Sequence, residues 1–171
     1  MSKMSKAIVL YNSRTGNTKK VAMKIAEGLG AASYDHKHIP NLNEYDLVVV
    51  GSWVIMGRIS FAGARYLRRL QRKKLTDKKV ALFFTSGSPD EIHPFTEKNE
   101  TPKTIKELMF ERMEKILVKN PNITILQDRF CCKGAIKMTK GGEVKDNIGH
   151  PTEEELAQAK AFGEQLKKNL K

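Results

Sequence analysis

Short apolar runs alternate with longer amphipathic stretches along this chain. The apolar runs predict four strands, at Ala7–Tyr11, Leu47–Val50, Val80–Phe84 and Ile123–Leu126. The first three runs are almost continuously apolar, as expected for strands that are buried on both faces of a parallel sheet. A weaker run, Ser33–Ile39, contains charged and polar residues. It therefore predicts an edge strand, one side of which meets solvent.

Between these runs, apolar residues recur at the three- and four-residue spacing of a helix. The spacing predicts helices over Val21–Leu29, Gly63–Leu70, Ile105–Ile116 and Leu156–Leu170. Gly30 is a plausible end of the first helix, and Thr152 with Glu155 forms a capping box before the last. Such alternation predicts an open parallel α/β sheet, in which ligands bind beyond the carboxyl ends of the strands.

The size and composition of the chain narrow the class of protein. We expect a single domain over residues 1–171, because this length suits one ordinary domain. A hydrophobic fraction of 40% and a charged fraction of 29% are typical of globular proteins. No apolar run approaches the roughly 18 residues of a membrane span. The N-terminus also lacks the pattern of a signal peptide. We therefore expect a cytoplasmic protein without a transmembrane segment.

Cys131 and Cys132 are the only cysteines, and they are adjacent. Two cysteines exclude a disulfide framework and a four-cysteine iron–sulfur or zinc site. Adjacent cysteines also pair poorly, and a free cysteine is commonly a small buried residue. The sequence therefore favours a structural role for both thiols over a redox role.

The segment Asn12–Thr18 joins the first predicted strand to the first predicted helix and is rich in hydroxyl side chains. Backbone N–H groups and the positive end of the dipole make a helix N-terminus an anion site. Ser13, Thr15 and Thr18 could donate to phosphate oxygens, and Gly16 permits close backbone approach. The loop lacks the Gly-Lys-Ser/Thr of a Walker loop and the G-x-G-x-x-G of a dinucleotide fingerprint. On spacing alone, a turn that merely caps the helix remains an alternative.

The pattern Val9-Leu10-Tyr11-x-Ser13-x-x-Gly16-x-Thr18-x-x-x-Ala22-x-x-Ile25 resembles the flavodoxin signature at every fixed position. The element order is similar over nearly the whole chain. The resemblance implies a flavodoxin-like three-layer α/β/α sandwich, with a five-stranded parallel sheet in the order 2-1-3-4-5. It also implies noncovalently bound FMN. The phosphate-binding residues it implies are Ser13, Arg14, Thr15, Gly16, Asn17 and Thr18.

The resemblance implies two further loops around the flavin ring. The loop after the third strand would contribute Ser52, Trp53, Val54, Ile55, Met56 and Gly57. The loop after the fourth strand would contribute Thr85, Ser86, Gly87 and Ser88. Within the first loop, Gly57 is the candidate for a backbone carbonyl that faces flavin N5, because glycine flips its peptide at low cost. Trp53 packs either beside the ring or as a buried residue of the core or rim.

The loop after the fourth strand departs from the family pattern. Flavodoxins usually have a stacking tyrosine in this loop, but here no aromatic residue precedes Phe95. The loop is also long, from Ser88 to Pro102, and long loops at the site end of a sheet are usually functional. One face of the flavin is therefore expected to be more open than in a pure electron carrier.

The net charge is +12, which indicates the kind of partner but gives no information about the fold. Part of it forms an arginine stripe, which consists of Arg65, Arg68, Arg69 and Arg72 at helical spacing. The stripe is either a solvated helix face or a docking surface. No nucleic-acid-binding motif accompanies it, so we expect no nucleic-acid partner. An acidic redox protein is the expected partner, and a peripheral membrane surface or a quinone is a further candidate contact.

Three functions fit these observations. The first is an FMN-binding carrier that exchanges electrons with a redox partner enzyme. The second is an FMN oxidoreductase that acts directly on a flat substrate of the quinone or porphyrinogen type, or an electron-donor subunit of a tetrapyrrole reductase. The third is a flavodoxin-fold scaffold that has lost FMN, which the intact phosphate loop disfavours. The sequence favours the carrier.

Overall fold

The structure, a computed structural model, describes residues 4–137 and 142–170. Its strands are β1 Ala7–Tyr11, β2 Ala32–Asp35, β3 Leu47–Ile55, β4 Arg58–Ile59, β5 Lys79–Ser86, β6 Thr124–Lys133, β7 Ile136–Lys137 and β8 Val144–Asp146. Its α-helices are α1 Asn17–Leu29, α2 Phe61–Arg69, α3 Ile105–Leu117 and α4 Glu153–Asn169. A π-helical turn, Leu70–Lys74, continues α2, and a short 3-10 helix spans Pro94–Thr96. No helix in these two described ranges is long and apolar enough to cross a membrane.

Five parallel strands form the main sheet in the order β2-β1-β3-β5-β6. Counted among the parallel strands alone, this is the order 2-1-3-4-5, so the predicted sheet is confirmed. The short strand β4 pairs antiparallel with the end of β3, and β7 pairs antiparallel with β8. The strand order reverses between β1 and β3, which in such sheets opens a crevice at the carboxyl ends of the strands.

Helices cover both faces of the sheet, and each face has its own apolar core. On one face, Tyr66 and Leu67 of α2 and Met109 and Met113 of α3 are fully buried with Phe84 of β5. On the other face, the buried side chains come from α1 and α4. The α/β/α layering is therefore the predicted one, and the central strands are buried on both sides as their apolar runs indicated.

The predicted helix ends agree with the structure. Gly30 follows α1 with φ of 71°, a left-handed conformation that glycine adopts without strain. Thr152 and Glu155 form the capping box that precedes α4, with each side chain bonded to the other residue's backbone N–H. These signals are local, because a few neighbouring residues are enough to form each cap.

Three strand predictions were wrong in their bounds. β3 runs to Ile55 and not to Val50, because its later residues pair with β5 as far as Trp53 and with β4 at Val54 and Ile55. β2 ends at Asp35 and not at Ile39, because Asp35 starts a turn: its Oδ1 accepts from Lys37 N at 2.9 Å and its carbonyl from His38 N at 2.9 Å. The predicted end of the fifth parallel strand at Leu126 was also too early. β6 runs on to Lys133 after a shift in register, since Val80 pairs with Ile125 but Leu82 pairs with Arg129.

Candidate functional site

A cleft of about 550 Å³ opens at the carboxyl ends of the parallel strands. Fourteen of the sixteen predicted flavin-binding residues line it, namely Ser13, Arg14, Thr15, Asn17, Thr18, Trp53, Val54, Ile55, Met56, Gly57, Thr85, Ser86, Gly87 and Ser88. Gly16 and Ser52 do not line it. Gly16 is the N-cap of α1. Ser52 is fully buried, and its Oγ lies where it would contact a side chain at Gly63 of α2. The three predicted loops therefore meet in one place.

The loop before α1 presents donors at the start of a helix. Gly16 has φ of 104°, and no side chain in the described structure caps the helix. Ser13 Oγ accepts from Gly16 N at 3.1 Å, which folds the loop back on itself and leaves the hydroxyl proton of Ser13 free to be donated. The first turn of α1 has no acidic residue. Its N–H groups and positive dipole end are therefore not offset by a local carboxylate.

Thr18 and Thr85 connect this loop to the loop after β5. Their hydroxyl groups lie 2.8 Å apart, and both side chains are buried. Because one hydroxyl must donate to the other, at most one of the two protons remains for a ligand. Thr18 therefore has a structural role in positioning the loop, in addition to any hydrogen bond that it donates to a ligand.

The loop after β3 is a hairpin that forms one wall of the cleft. Ile55 pairs with Arg58, and the two residues between them, Met56 and Gly57, have φ of 51° and 68°. Two consecutive positive φ values are those of a type I′ turn, the usual two-residue hairpin connection. The turn presents Met56 to solvent with 91% of its surface exposed.

His93 holds this hairpin from the side away from the cleft. Phe95 N donates to His93 Nδ1 at 3.2 Å, so the ring proton lies on Nε2, which donates to the Gly57 carbonyl at 3.0 Å. Arg112 also approaches this carbonyl, at 3.4 Å. From the family resemblance, the Gly57 carbonyl was expected to face the flavin. In this structure it instead accepts from two side chains that belong to the neighbouring groove, because the buried ring of His93 packs directly against Gly57.

Trp53 lies half-buried in the cleft wall. The Arg14 guanidinium carbon is 5.6 Å from the centre of its ring, a cation–π distance. Trp53 therefore lies in the cleft wall and not in the core, a position that suits both packing beside a flavin ring and burial at the rim. No second Trp, Phe or Tyr lines the cleft within the described part of the chain. The loop after β5 adds Glu91, Ile92 and Pro94 instead.

The opposite wall of the cleft was not predicted from the sequence and consists of Gly134, Ala135, Ile136 and Lys137. Asn147 fixes this wall: its Nδ2 donates to the carbonyls of Gly87 at 2.6 Å and Gly134 at 3.2 Å. Asn17 Nδ2 donates to the Ala135 carbonyl at 2.8 Å. The signal was the carboxyl end of the fifth parallel strand, which meets the same sheet edge as the other loops but was placed seven residues too early in the sequence.

The charge of the cleft favours an anion. Arg14 and Lys137 line it, and Glu91 is the one carboxylate among its described lining residues. Glu91 is exposed to solvent, which screens its charge. The helix N-terminus at Asn17 adds a further positive potential.

Cys131 and Cys132 lie outside the cleft, in β6. Adjacent strand residues point to opposite faces, so Cys131 packs on the core of α2 and α3 and Cys132 on the core of α1 and α4. Burial raises the pKa of each thiol to about 12. Both are free cysteines, and at neutral pH each is a thiol and not a reactive thiolate.

We expect both cysteines to resist alkylation in the folded protein. Because a raised pKa leaves almost no thiolate at neutral pH, iodoacetamide at pH 7.5 should label neither thiol at an appreciable rate. The same reagent should label both in denaturant, where the pKa returns to about 8.5. Mass spectrometry after timed quenching measures the difference. Rapid labelling of either thiol in the folded protein would contradict the structural role.

Comparisons with known proteins agree with this fold. Residues 8–164 match the family model described as the flavodoxin domain. An uncharacterised protein of Methanocaldococcus jannaschii is 31% identical, with 96% of this chain and 99% of that protein covered. The flavodoxin-like domain-containing protein BilS of Clostridioides difficile is 28% identical, with 94% of this chain and 96% of that protein covered. A solved flavodoxin from the domain Archaea superposes with a TM-score of 0.63 at 20% identity, with 96% of this chain and 98% of that chain covered.

An open parallel α/β sheet with helices on both faces defines a broad class of proteins whose ligand sites lie at the carboxyl ends of the strands. Within that class, the match over residues 8–164 is specific, and the chain belongs to the flavodoxin family. Members of this family typically bind FMN and carry electrons.

The residues of the cleft fit FMN on three structural grounds. A Cβ atom built on Gly16 would meet nothing within 4 Å, so no neighbouring atom crowds the loop at the start of α1. The donor set of hydroxyls, helix N–H groups and Arg14 suits a dianion. The side chains that line the rest of the cleft are mainly apolar, which suits a flat aromatic ring.

Proposed function

We propose that this protein binds FMN in the cleft and carries electrons to or from a redox partner enzyme. The observation that carries the proposal is the helix start at Asn17. Hydroxyl groups and uncapped N–H groups face open space there, beside an apolar cleft of about 550 Å³. In the proposed complex, Ser13–Thr18 hold the phosphate, and the walls at Trp53–Gly57 and Thr85–Ser88 enclose the ring. FMN supplies one- and two-electron redox chemistry when bound.

The partner in this proposal is an acidic protein. The chain carries a net charge of +12, so an acidic partner would be attracted and oriented before contact. Arg65, Arg68, Arg69 and Arg72 are all exposed, opposite the buried Leu67 and Leu70, which supports a surface role for the arginine stripe. Arg69 differs from the others, because it lies near His36 and Tyr66 on the side of β2.

Calorimetric titration of the purified apoprotein tests the cofactor. FMN should bind with one site per chain, and the absorption bands of the flavin should shift and sharpen as the ring leaves water. Riboflavin is the matched control, because it has the same ring without the phosphate. If FMN fails to bind, or binds no better than riboflavin, the phosphate assignment and the carrier function are both wrong.

A second candidate is an FMN oxidoreductase that acts directly on a flat substrate, of the quinone or porphyrinogen type. The observation in its favour is the aromatic content of the cleft, which is limited to Trp53 among the described lining residues. Where no second aromatic side chain covers the ring, a flat substrate has space to stack. An electron-donor subunit of a tetrapyrrole reductase is a related form of the same candidate.

Stopped-flow mixing separates the two candidates. The oxidised FMN-loaded protein is mixed without oxygen with a dihydroquinone or with protoporphyrinogen, each of which can give two electrons and two protons to FMN. In a carrier, the flavin should bleach slowly, at a rate that rises linearly with donor concentration. A rate that saturates with donor concentration would show a substrate complex and would favour the oxidoreductase.

A further inference from the structure

A second groove, of about 1000 Å³, lies on the other side of the β3–β4 hairpin from the cleft. Apolar side chains form much of it, among them Ile59 at the end of β4, Phe61 at the start of α2 and Ile116 of α3. Phe95, from the short 3-10 helix, forms part of the opposite side. We call this feature the basic groove, because of the charges described next.

Four cations line the basic groove: Arg58, Arg112, Lys115 and Lys119. No aspartate or glutamate is found among its described lining residues. The acidic neighbours on α3 are already engaged, since Glu111 pairs with Lys103 and Glu114 with Arg129. Lys115 and Lys119 have no ion pair within residues 4–137 and 142–170 and are exposed. The groove therefore presents a positive potential over an apolar surface.

Large apolar side chains project from the groove into solvent. Phe61 is 93% exposed, Met56 is 91% exposed and Phe95 is 68% exposed. Exposed aromatic and methionine side chains grouped at one site, with a charged rim, are typical of a protein interface. A solvated helix face would carry charged side chains but not a cluster of exposed aromatic and methionine side chains.

The positive surface continues beyond the groove along α2. Arg65 and Arg68 follow Phe61 by four and seven residues and so lie on the same face of the helix. At a rise of about 1.5 Å per residue, Arg68 is roughly 10 Å along the axis from Phe61. The surface of a docked protein would cover both the groove and these arginines.

We propose that the basic groove docks an acidic protein partner, which inserts one aromatic or aliphatic side chain between Phe61 and Phe95 while its carboxylates face Lys115 and Lys119. The statement that this partner is a redox protein rests on the proposed electron-carrier function. A second copy of this chain is the weaker occupant, because two surfaces of the same positive charge would repel at a net charge of +12 each.

The position of the groove suits transfer of electrons to a docked partner. Ile55, Met56 and Pro94 line both the groove and the cleft, so a single hairpin separates the two. The hydrogen bonds from His93 and Arg112 to the Gly57 carbonyl cross the same boundary. A partner seated in the groove would contact the wall of the proposed flavin site.

Fluorescence anisotropy of the full chain loaded with FMN tests the groove. The probe is a fluorescein-labelled peptide in which one tryptophan is flanked on both sides by glutamates. The Lys115→Glu/Lys119→Glu variant should bind it about tenfold or more weakly, since both changes replace attraction by repulsion. The matched control is Lys167→Glu/Lys168→Glu, the same change of charge at two exposed lysines of α4, on the other face of the sheet.

The apolar part of the site has its own pair of variants. Phe61→Ala should weaken binding of the peptide that contains tryptophan and leave binding of a peptide with alanine in its place unchanged. Met23→Ala is the control, because Met23 is a half-exposed apolar residue of α1 on the opposite face. Both residues lie outside the two cores, so neither change should impair folding.

Three results would overturn the proposal. The first is equal loss of binding in the lysine variant and its control, which would mean attraction to net charge alone. The second is equal affinity for the peptides with and without tryptophan. The third is binding of phosphatidylglycerol vesicles through Phe61 and Lys115 without binding of the peptide, which would make the groove a membrane contact. FMN titration of the same preparations tests the carrier function separately. Binding of the peptide to the groove does not require the flavin, so the two proposals can fail independently.

Discussion

Alanine at both Ser13 and Thr15 is expected to weaken FMN binding by a hundredfold to ten-thousandfold. Both side chains line the cleft at the start of α1, and each would donate a hydrogen bond to the phosphate dianion. Loss of a donor to a charged group costs about 1.5–3 kcal/mol. Loss of two donors therefore corresponds to the hundredfold to ten-thousandfold decrease in affinity. Calorimetric titration with FMN measures the change directly.

Riboflavin and Ser88 supply the controls for this result. Affinity for riboflavin should remain nearly the same in the double variant, because riboflavin has no phosphate. Ser88→Ala removes a hydroxyl from the loop after β5 and should leave the ratio of FMN to riboflavin affinity unchanged. Thr18→Ala is the less informative change, since it also removes the buried hydroxyl partner of Thr85. Equal loss of both ligands in the double variant would place the phosphate elsewhere.

The shape of the loop Asn12–Thr18 was predictable because the residues that form it are contiguous. A strand end, a run of hydroxyl residues and a helix start follow one another between Tyr11 and Thr18. Within the loop, Ser13 accepts from Gly16 N, and the contacts of Asn17 with Ala135 and of Thr18 with Thr85 then hold the loop in the cleft. The same reason applies to the helix ends at Gly30 and Thr152.

The opposite wall was not predictable in the same way. Gln127 and Asp128 interrupt the apolar run of β6, and polar residues normally mark the end of a strand. The chain instead absorbs them in a shift of register and resumes pairing at Arg129. Only the contact with β5 determines that the strand continues to Lys133, so the wall at Gly134 depends on tertiary structure.

The hairpin at Met56 and Gly57 was predicted as a loop at the cleft, but not its support. His93 lies 36 residues further along the chain, and its ring is buried against the turn. His93 falls within the long loop that the sequence predicts from Ser88 to Pro102, but a single histidine carries no spacing signal. Its role depends on the neighbouring N–H of Phe95, which fixes the proton on Nε2.

The close contact of α1 with α4 depends on two glycines. A Cβ atom at Gly28 would lie 2.0 Å from the Lys160 carbonyl oxygen, and one at Gly163 would lie 2.1 Å from the Ile25 carbonyl oxygen. Both obstacles are backbone atoms, so no side chain can rotate to make room. The helices approach each other at this point only because neither residue has a side chain.

Gly163→Ala is therefore expected to lower the free energy of unfolding by about 3 kcal/mol. Helix propensity alone predicts the opposite sign, a gain of up to about 1 kcal/mol, so the direction of the change tests the contact. Ala161→Gly is the matched control, because Ala161 is exposed on the same helix and should lose only about 1 kcal/mol. Urea unfolding followed by far-UV circular dichroism measures both variants. A Gly163→Ala protein as stable as the parent would show that α1 and α4 lie farther apart than the structure places them.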